Sequence, residues 1–374
     1  MNEPREANSA ALFSPSGFRD LVSGRRRGVA AAALRGILAA AEVPYAWAVR
    51  RRNRQFDCGA RAIHRADVPV ISVGNLTLGG TGKTPMVEWI VRYLQAQGKK
   101  AGIVSRGYGS RQGANDEARE LAWKLPDTPH VQDPDRVAAA RRAVREFACQ
   151  ALVLDDAFQH RRIARNLDIV LLDALEPFGF EHVFPRGTLR EPVEGLVRAD
   201  VVALSRADLS TPQQRKAIRD RVTALSPLAV WVEIVHKPLE LVTAEEGTQK
   251  AGGESAPLET LRGKRVLAFC GLGNPAGFRH TLEVCGYEVV EFREFSDHHA
   301  YAPGDLDALA AAARQAKAEA LVCTQKDMVK IGTGRLGDRP LWAIRVRIDF
   351  VAGREEFEQK LRVSDSLFQP PCSG

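Results

Sequence analysis

The sequence predicts an α/β fold in three parts: a lobe built on a parallel sheet, a second and smaller α/β lobe, and an amphipathic N-terminal helix. Three observations carry this expectation. From Val68 onward, short apolar runs alternate with helical patterns, the signature of parallel strands covered on both faces. The first of those runs, VPVISV, feeds a glycine-rich turn, GNLTLGGTGKTP from Gly74 to Pro85, and a helical pattern follows. Ahead of both, an apolar stretch from Val29 to Val49 is bracketed by arginines, Arg25 to Arg27 on one side and Arg50 to Arg54 on the other.

With 374 residues the chain can bury one large core or two of ordinary size. Its 45% hydrophobic and 26% charged content is that of a globular protein. A formal net charge of +7 favours an anionic partner. Because the excess is gathered in the two front clusters, that partner is expected to be an anionic membrane surface and not a nucleic acid. Six cysteines (Cys58, Cys149, Cys270, Cys285, Cys323, Cys372) form no CxxC pair, which implies a reducing cytosol. The opening MNEPREANSA contains acids and no apolar core, so export is not expected.

Residues 1–28 carry no periodic pattern and read as a tail. Over 29–54, no window reaches the roughly 18 uninterrupted apolar residues of a spanning helix. Tyr45 and Trp47 beside Arg50, Arg51 and Arg52 suit a helix lying in an anionic headgroup layer; a core helix with a solvated basic face is the alternative. The nucleotide lobe is expected over 55–225, with strands Val68–Val73, Ala101–Ser105, Ala151–Leu154, Asp168–Leu172 and Val201–Leu204, and helices such as Asp135–Cys149 between them. Thr243–Pro257 reads as a surface loop. A second lobe over 226–365 repeats the alternation, with strands Val266–Cys270, Tyr287–Phe292 and Ala320–Thr324 and helices Pro275–Cys285 and Pro303–Ala318. It is expected to complete a cleft, and 366–374 reads as a tail.

The turn after VPVISV has the composition of a phosphate cradle, which makes the first lobe P-loop NTPase-like. Gly79, Gly80, Thr81 and Gly82 can bring backbone amides close to phosphate oxygens, at the positive end of the helix that follows. Lys83 can reach the β- and γ-phosphates, and the Thr84 hydroxyl can ligate Mg²⁺, so ATP and Mg²⁺ are the expected cofactors. Thr77 stands where the strict motif has its first glycine. The context supplies what the spacing lacks, with Val70, Ile71 and Val73 reading as strand and Met86, Ile90, Val91 and Leu94 at helical spacing. Asp155 and Asp156 end the apolar run ALVL, where such enzymes hold Mg²⁺; capping of the strand end is the alternative. Asp116 and Glu117 open a helix, an ordinary place for acids. Asp297, His298 and His299 admit a metal, proton-relay or helix-start reading. Two further stretches are decoys: GLGNPAG (Gly271–Gly277) imitates a dinucleotide fingerprint with its last glycine one residue late, and Ser205–Asp208 reads as a strand-end turn.

Laid end to end, VGNLTLGGTGKTP, SRGYGSR (Ser105–Arg111), NDEA (Asn115–Ala118), LDDAFQHRRIARNLDIVLLD (Leu154–Asp173), LREP (Leu189–Pro192), GLGNPAGF, FSDHHAY (Phe295–Tyr301) and TQKD (Thr324–Asp327) resemble the tetraacyldisaccharide 4′-kinases, the lipid A 4′-kinases of Gram-negative envelope synthesis. The resemblance spans roughly residues 30–350, and that family's loop also lacks the first Walker glycine. It implies ATP-dependent phosphorylation of a tetraacylated glucosamine disaccharide 1-phosphate, by a peripheral enzyme on the cytoplasmic face of the inner membrane. It implies Asp116 as base, His298 as its partner and Lys83 as a catalytic cation. It also implies His160, Arg190 and Glu191 at the nucleotide site, and Thr84, Asp155 and Asp156 around the metal. The chain departs from the family pattern at NDEA, at Ala157, at Asn166, at Thr188 and in a short segment before Asn115. A membrane-associated nucleotide switch or assembly factor is the alternative reading. Closure of the second lobe is expected to bring His298 to the site.

Overall fold

The computed structural model describes residues 15–107, 116–245 and 251–366. The short segment before Asp116, including Asn115 and part of SRGYGSR, lies outside the described residues, as do residues 1–14 and 367–374 of the expected tails. In chain order the first elements are α1 (Pro15–Val22), α2 (Val29–Asp57), β1 (Val70–Asn75), α3 (Lys83–Ala96), β2 (Ala101–Ser105), α4 (Asp116–Lys124), β3 (His130–Gln132), α5 (Arg136–Phe147) and β4 (Ala151–Asp155). There follow β5 (Leu167–Asp173), β6 (Val201–Ser205), α6 (Pro212–Leu225), β7 (Val230–Ala244), β8 (Ala251–Ala256), β9 (Arg265–Cys270), α7 (Ala276–Cys285) and β10 (Glu288–Glu294). The last are α8 (Pro303–Gln315), β11 (Ala320–Thr324), α9 (Gln325–Ile331), β12 (Arg335–Leu336), β13 (Arg339–Ala352) and α10 (Arg354–Ser366).

Two compact units result. One takes the described residues up to Thr81, Asp156–Glu233 and those from Ala352 on. Its strands β1, β5 and β6 are parallel neighbours, with Val73 opposite Ile169 and Ile169 opposite Val201. All three are buried along their whole length; unbroken apolar strands of this kind need cover on both faces. Gly74 has no room for a side chain, since a Cβ there would lie 2.6 Å from the Phe158 backbone nitrogen. Helix α6 starts on a capping box between Thr211 and Gln214. The stretch expected to be a tail holds helix α1, whose Leu21 and Val22 are buried.

Helix α2 belongs to the same unit and is longer than expected. Contrary to expectation it is long and apolar enough to cross a membrane by length and composition, and only 11% of its apolar window is buried. That low burial excludes the core-helix alternative. Its two faces invert the usual arrangement. The docked stripe includes Ala31, Ala46, Val49 and Phe56, and also the polar Arg35, Glu42 and Asn53, whose partners are the Leu21 and Arg26 carbonyls, His182 with the Val183 amide, and Glu191. The opposite stripe presents Val29, Ile37, Val43 and Trp47 to solvent, each more than 60% exposed. Charges that would forbid an apolar surround are thus consumed on the inner face.

The second unit comprises Gly82–Asp155 and Ile234–Val351. Here β2 lies between β4 and β3, all parallel. A further run has the order β10-β9-β11-β13-β7, with β10 parallel to β9, β9 to β11 and β11 to β13. Side chains of its central strands alternate between two cores: Leu267, Phe269, Leu321 and Cys323 face α8 and α9, and Val266, Ala268, Ala320 and Val322 face α7. The expected surface loop from Thr243 contains strand instead, because β7 runs on to Ala244 and β8 returns antiparallel to it. The apolar spacing read for α3 holds, with Met86, Ile90, Val91 and Leu94 all buried. Helix α4 is fixed to α3 by charge: Lys124 Nζ, 1% exposed, lies 2.8 Å from Glu120 and 3.5 Å from Glu88. A buried cation of this kind requires such partners.

Candidate active site: a phosphate loop and two ion pairs

The phosphate loop begins as an extension of the sheet. Leu78 N donates to Thr188 O at 2.7 Å and Arg190 N to Leu76 O at 2.7 Å, with Thr77 bridged antiparallel to Leu189. This is why threonine can stand at position 77: the residue is in extended conformation, where a side chain costs nothing. Beyond it the backbone turns left-handed at Gly79 (φ 112°) and at Gly82 (φ 85°), the residue before α3, and both positions favour glycine. Helix α3 then opens with Lys83 and Thr84, and Lys83 is largely buried.

The loop fits a nucleotide phosphate. Thr81 Oγ1 is buried without a hydrogen-bond partner among the described residues, and the position of a Cβ on Gly80 meets no described atom within 4 Å. A cradle with an orphaned hydroxyl and a helix start is an anion site. Thr84 and Asp155 carry hard oxygen atoms of the kind that Mg²⁺ takes alongside phosphate, while the Asp156 carboxylate is engaged by Arg190. Among the described residues, no group of three or more His, Cys, Asp or Glu side chains is gathered as a metal site of its own.

In the first unit the antiparallel bridge at Thr77 sets Arg190 and Glu191 beside the loop. Arg190 Nη1 donates to both carboxylate oxygens of Asp156, at 2.9 and 3.0 Å. Asp156 itself has a left-handed backbone (φ 51°), strained for a non-glycine residue. The turn after it is held by a residue the sequence reading did not single out: Arg165 Nη2 donates to the carbonyls of Ala157 (2.6 Å), Phe158 (3.2 Å) and His160 (2.7 Å). Glu191 is completely buried and accepts from Asn53 (2.9 Å), Gln159 (3.0 Å) and Arg198 (2.9 Å). Its carboxylate is turned into the unit and saturated. The strand-end turn read at Ser205–Asp208 is present, and its Arg206 guanidinium binds the Gly80 carbonyl and, at 3.3 Å, Asp173.

In the second unit Asp116 starts α4, and His298 sits in the turn ahead of α8 with φ 60°. Their side chains meet, His298 Nδ1 to Asp116 Oδ2 at 3.3 Å, across 182 residues of chain. Both belong to one compact unit, so no closure between units is needed to join them, contrary to expectation. Lys330 Nζ lies 3.2 Å from the same Asp116 oxygen. Burial alone would raise the Asp116 carboxyl, but the hydrogen bond from His298 and the charge of Lys330 outweigh it and hold it down at about 2. Lys326 pairs with Asp297 at 2.9 Å. His299 instead contacts Asp305 at 2.9 Å, at the start of α8, so of the adjacent histidines one faces the acid of α4 and the other serves the helix start. The GLGNPAG turn holds no comparable cradle: Gly271 N donates at 3.1 Å to Asp327, which is fully buried and also accepts from Tyr301 and Thr324.

Lys326 lay within the TQKD segment and could have been noticed there. Arg165 lay within LDDAFQHRRIARNLDIVLLD and Arg206 within Ser205–Asp208, while Lys330 carried no signal; for all three the target was not legible, because it cannot be read from a cation's neighbours in sequence.

Residues 34–364 match the family described as tetraacyldisaccharide-1-P 4′-kinase (LpxK). The chain is 39% identical over 341 residues to a tetraacyldisaccharide 4′-kinase of Anaeromyxobacter dehalogenans strain 2CP-C, covering 86% of this chain and 88% of that protein. A tetraacyldisaccharide 4′-kinase of Halothermothrix orenii is 38% identical over 283 residues, 70% of this chain and 73% of that protein. Among solved structures, the ATP complex of LpxK from Aquifex aeolicus superposes with a TM-score of 0.68 at 26% identity, covering 89% of this chain and 99% of that one. A strand-borne phosphate loop, the pairing of Asp116 on α4 with His298 and the agreement with these proteins over nearly the whole chain together place this chain in the tetraacyldisaccharide-1-P 4′-kinase family.

Proposed function

We propose that the chain catalyses its family's reaction, transfer of the γ-phosphate of ATP to the 4′-hydroxyl of a tetraacylated glucosamine disaccharide 1-phosphate, with Asp116 receiving the hydroxyl proton. The observation that carries the residue roles is the Asp116–His298 contact on a helix braced against α3, the helix that begins with Lys83. Both donors to Asp116, His298 and Lys330, converge on Oδ2. Oδ1, which takes no hydrogen bond among the described residues, is the acceptor for the sugar hydroxyl. A carboxylate held this far down is a weak base at rest, and the chemistry tolerates that. In a loose phosphoryl-transfer transition state the hydroxyl loses its proton late, so orientation and charge outweigh base strength.

Lys83 and the amides of the loop neutralise charge on the transferred group, while Thr84 and Asp155 would hold Mg²⁺. When bound, the ion screens phosphate charge and orients the terminal phosphoryl group. Arg190, kept in place by Asp156 and by the anchoring of Glu191, offers a cation beside the loop, and His160 stands at the end of the turn that Arg165 holds. A nucleotide switch has no need of a proton acceptor, and the acid–histidine pair therefore favours the kinase reading.

The apolar stripe of α2 supports a peripheral seat on the cytoplasmic face of the inner membrane, where an acylated substrate resides and flanking arginines meet anionic headgroups. Transfer of labelled phosphate from ATP to tetraacyldisaccharide 1-phosphate in detergent micelles tests the assignment, with Lys83→Ala as control. Labelling that persists in the control, or ATP hydrolysis with no labelled lipid, would overturn it. For the membrane seat, the Val43→Asp/Trp47→Asp double variant is expected to lose vesicle binding; an unchanged partition would refute it.

A further inference from the structure

Two lysines one turn apart on α9, Lys326 and Lys330, approach opposite ends of the Asp116–His298 pair. Lys330 Nζ, 6% exposed, lies 3.2 Å from Asp116 Oδ2, 4.0 Å from Asp327 and 3.1 Å from the His299 carbonyl. Lys326 Nζ, 12% exposed, lies 2.9 Å from Asp297 and makes a long contact of 3.5 Å with His298 Nε2. An ammonium group has only donors, so the contact with Nε2 calls for a lone pair there, and the ring hydrogen must sit on Nδ1, facing Asp116. We infer that Lys326 and Lys330 fix the protons of this pair: Lys326 sets the Nδ1–H tautomer of His298, and Lys330 keeps Asp116 a carboxylate ready to accept.

The surrounding charges are consistent with that division. Asp116 is faced by His298 and Lys330. His298 is faced by Asp116, by Lys326 and, at 3.9 Å, by Asp297. Lys326 feels Asp297 and, at longer range, Glu117 and Glu120, and Lys330 feels Asp116 and Asp327, with the Tyr301 ring 6.0 Å away. Asp297, which would otherwise favour a proton on Nε2, is instead occupied by Lys326. In the reaction the hydroxyl O–H bond breaks as its oxygen bonds to the γ-phosphorus of ATP, the bond from that phosphorus to the β–γ bridging oxygen breaks to release ADP, and the proton passes to Asp116 Oδ1. Were Asp116 already protonated, or were His298 to present a lone pair to it, that acceptor would be lost or misplaced. The neighbouring buried acid, Asp327, is saturated by Gly271, Tyr301 and Thr324 and needs little from Lys330, so Lys330 is committed to Asp116. The lysines are positioning residues that act through the pair.

The inference rests on the reading of Asp116 as proton acceptor, and the test separates the two. The full-length protein is labelled with ¹⁵N-histidine, and the His298 signal, identified by its absence in His298→Gln, is read for its tautomer. The same variants are assayed for kcat between pH 3 and 9. In the unsubstituted protein the signal should report Nδ1–H. Lys326→Met should shift it toward a mixture with Nε2–H. Lys330→Met should move the acid limb of the kcat profile upward by roughly one pH unit or more, since a like-sized shift attends loss of a close opposite charge. Lys330→Arg should restore the limb, and the KM for ATP should stay within about twofold, because neither lysine touches the nucleotide loop. If Asp116→Asn abolishes turnover while the tautomer and the acid limb stay put, the assignment to the lysines is wrong and the acceptor reading survives. If Asp116→Asn turns over near normally, the acceptor reading fails and takes this inference with it.

Discussion

Asp116 is paired with His298 and Lys330 and Asp156 with Arg190, and the exposures of the two acids are alike, 24% and 25%. The partners differ in one respect. Arg190 never gives up its proton at physiological pH, while a histidine can. The Asp156–Arg190 pair is therefore purely electrostatic: one guanidinium nitrogen spans both carboxylate oxygens, on a turn clamped by three carbonyl contacts from Arg165. In the Asp116–His298 pair, the donors crowd one oxygen and leave the other without a hydrogen bond among the described residues. Two ion pairs of similar exposure thus differ in what they offer: one is a fixed charge pair, and the other has the open oxygen that the proposed proton transfer uses.

The comparison can be broken most directly at Asp116. Asp116→Asn should lower kcat about 10²- to 10⁴-fold with ATP binding retained, the range for loss of a general base; steady-state assays at saturating ATP measure it. Arg190→Ala should cost less, about 10- to 100-fold in kcat/KM, from loss of a charged hydrogen bond. Its pH profile should keep the unsubstituted shape, because no titrating partner is lost; a displaced acid limb would show that this pair also moves a proton.

Smaller effects sharpen the contrast. Arg165→Lys leaves the charge but cannot reach three carbonyls from one fork. It should raise the Mg²⁺ concentration for half-maximal activity several-fold, about what one weakened hydrogen bond allows, while leaving the KM for lipid in place. The smallest expected effect is on acid stability. The Asp116 carboxyl lies below its ordinary value in the fold, so its stabilising contribution is complete above the unfolded value near 3.9 and is lost as pH falls toward about 2. Asp116→Asn should accordingly lose less stability than the unsubstituted protein between pH 5 and 2.5. Equal losses in urea titrations at the two pH values would show that the carboxylate is not held down.

Much of the nucleotide-binding half was legible because its signals are local. A strand, a turn rich in glycine and a helix beginning Lys-Thr are contiguous, and the left-handed conformations at Gly79 and Gly82 answer to the residues that occupy them. Thr77 looked anomalous only because its partner, Leu189, lies more than a hundred residues away. Helix α2 was legible as apolar and basic, but not for which face is covered. That depends on Glu42 meeting His182 and Asn53 meeting Glu191, and periodicity alone gives no hint that polar groups point inward. The β7–β8 return was missed because glycine and charge in AEEGTQKAGGESAP outweighed strand propensity, which gives way to tertiary pairing.

The sequence by itself determined the alternation of the main strands and helices, the phosphate loop with its lysine and threonine, the acids that end β4 and the family. All of these rest on neighbouring residues whose chemistry and backbone preference act over a few positions. The resemblance already implied His298 as the partner of Asp116, but only the tertiary structure decided that Lys330 and Lys326 attend the pair, that Glu191 points inward and that the apolar stripe of α2 faces out. Those outcomes join groups far apart in the chain. The pairing of a charge is set by what packing brings within about 4 Å of it in a low-dielectric surround, and no spacing in the sequence encodes that distance.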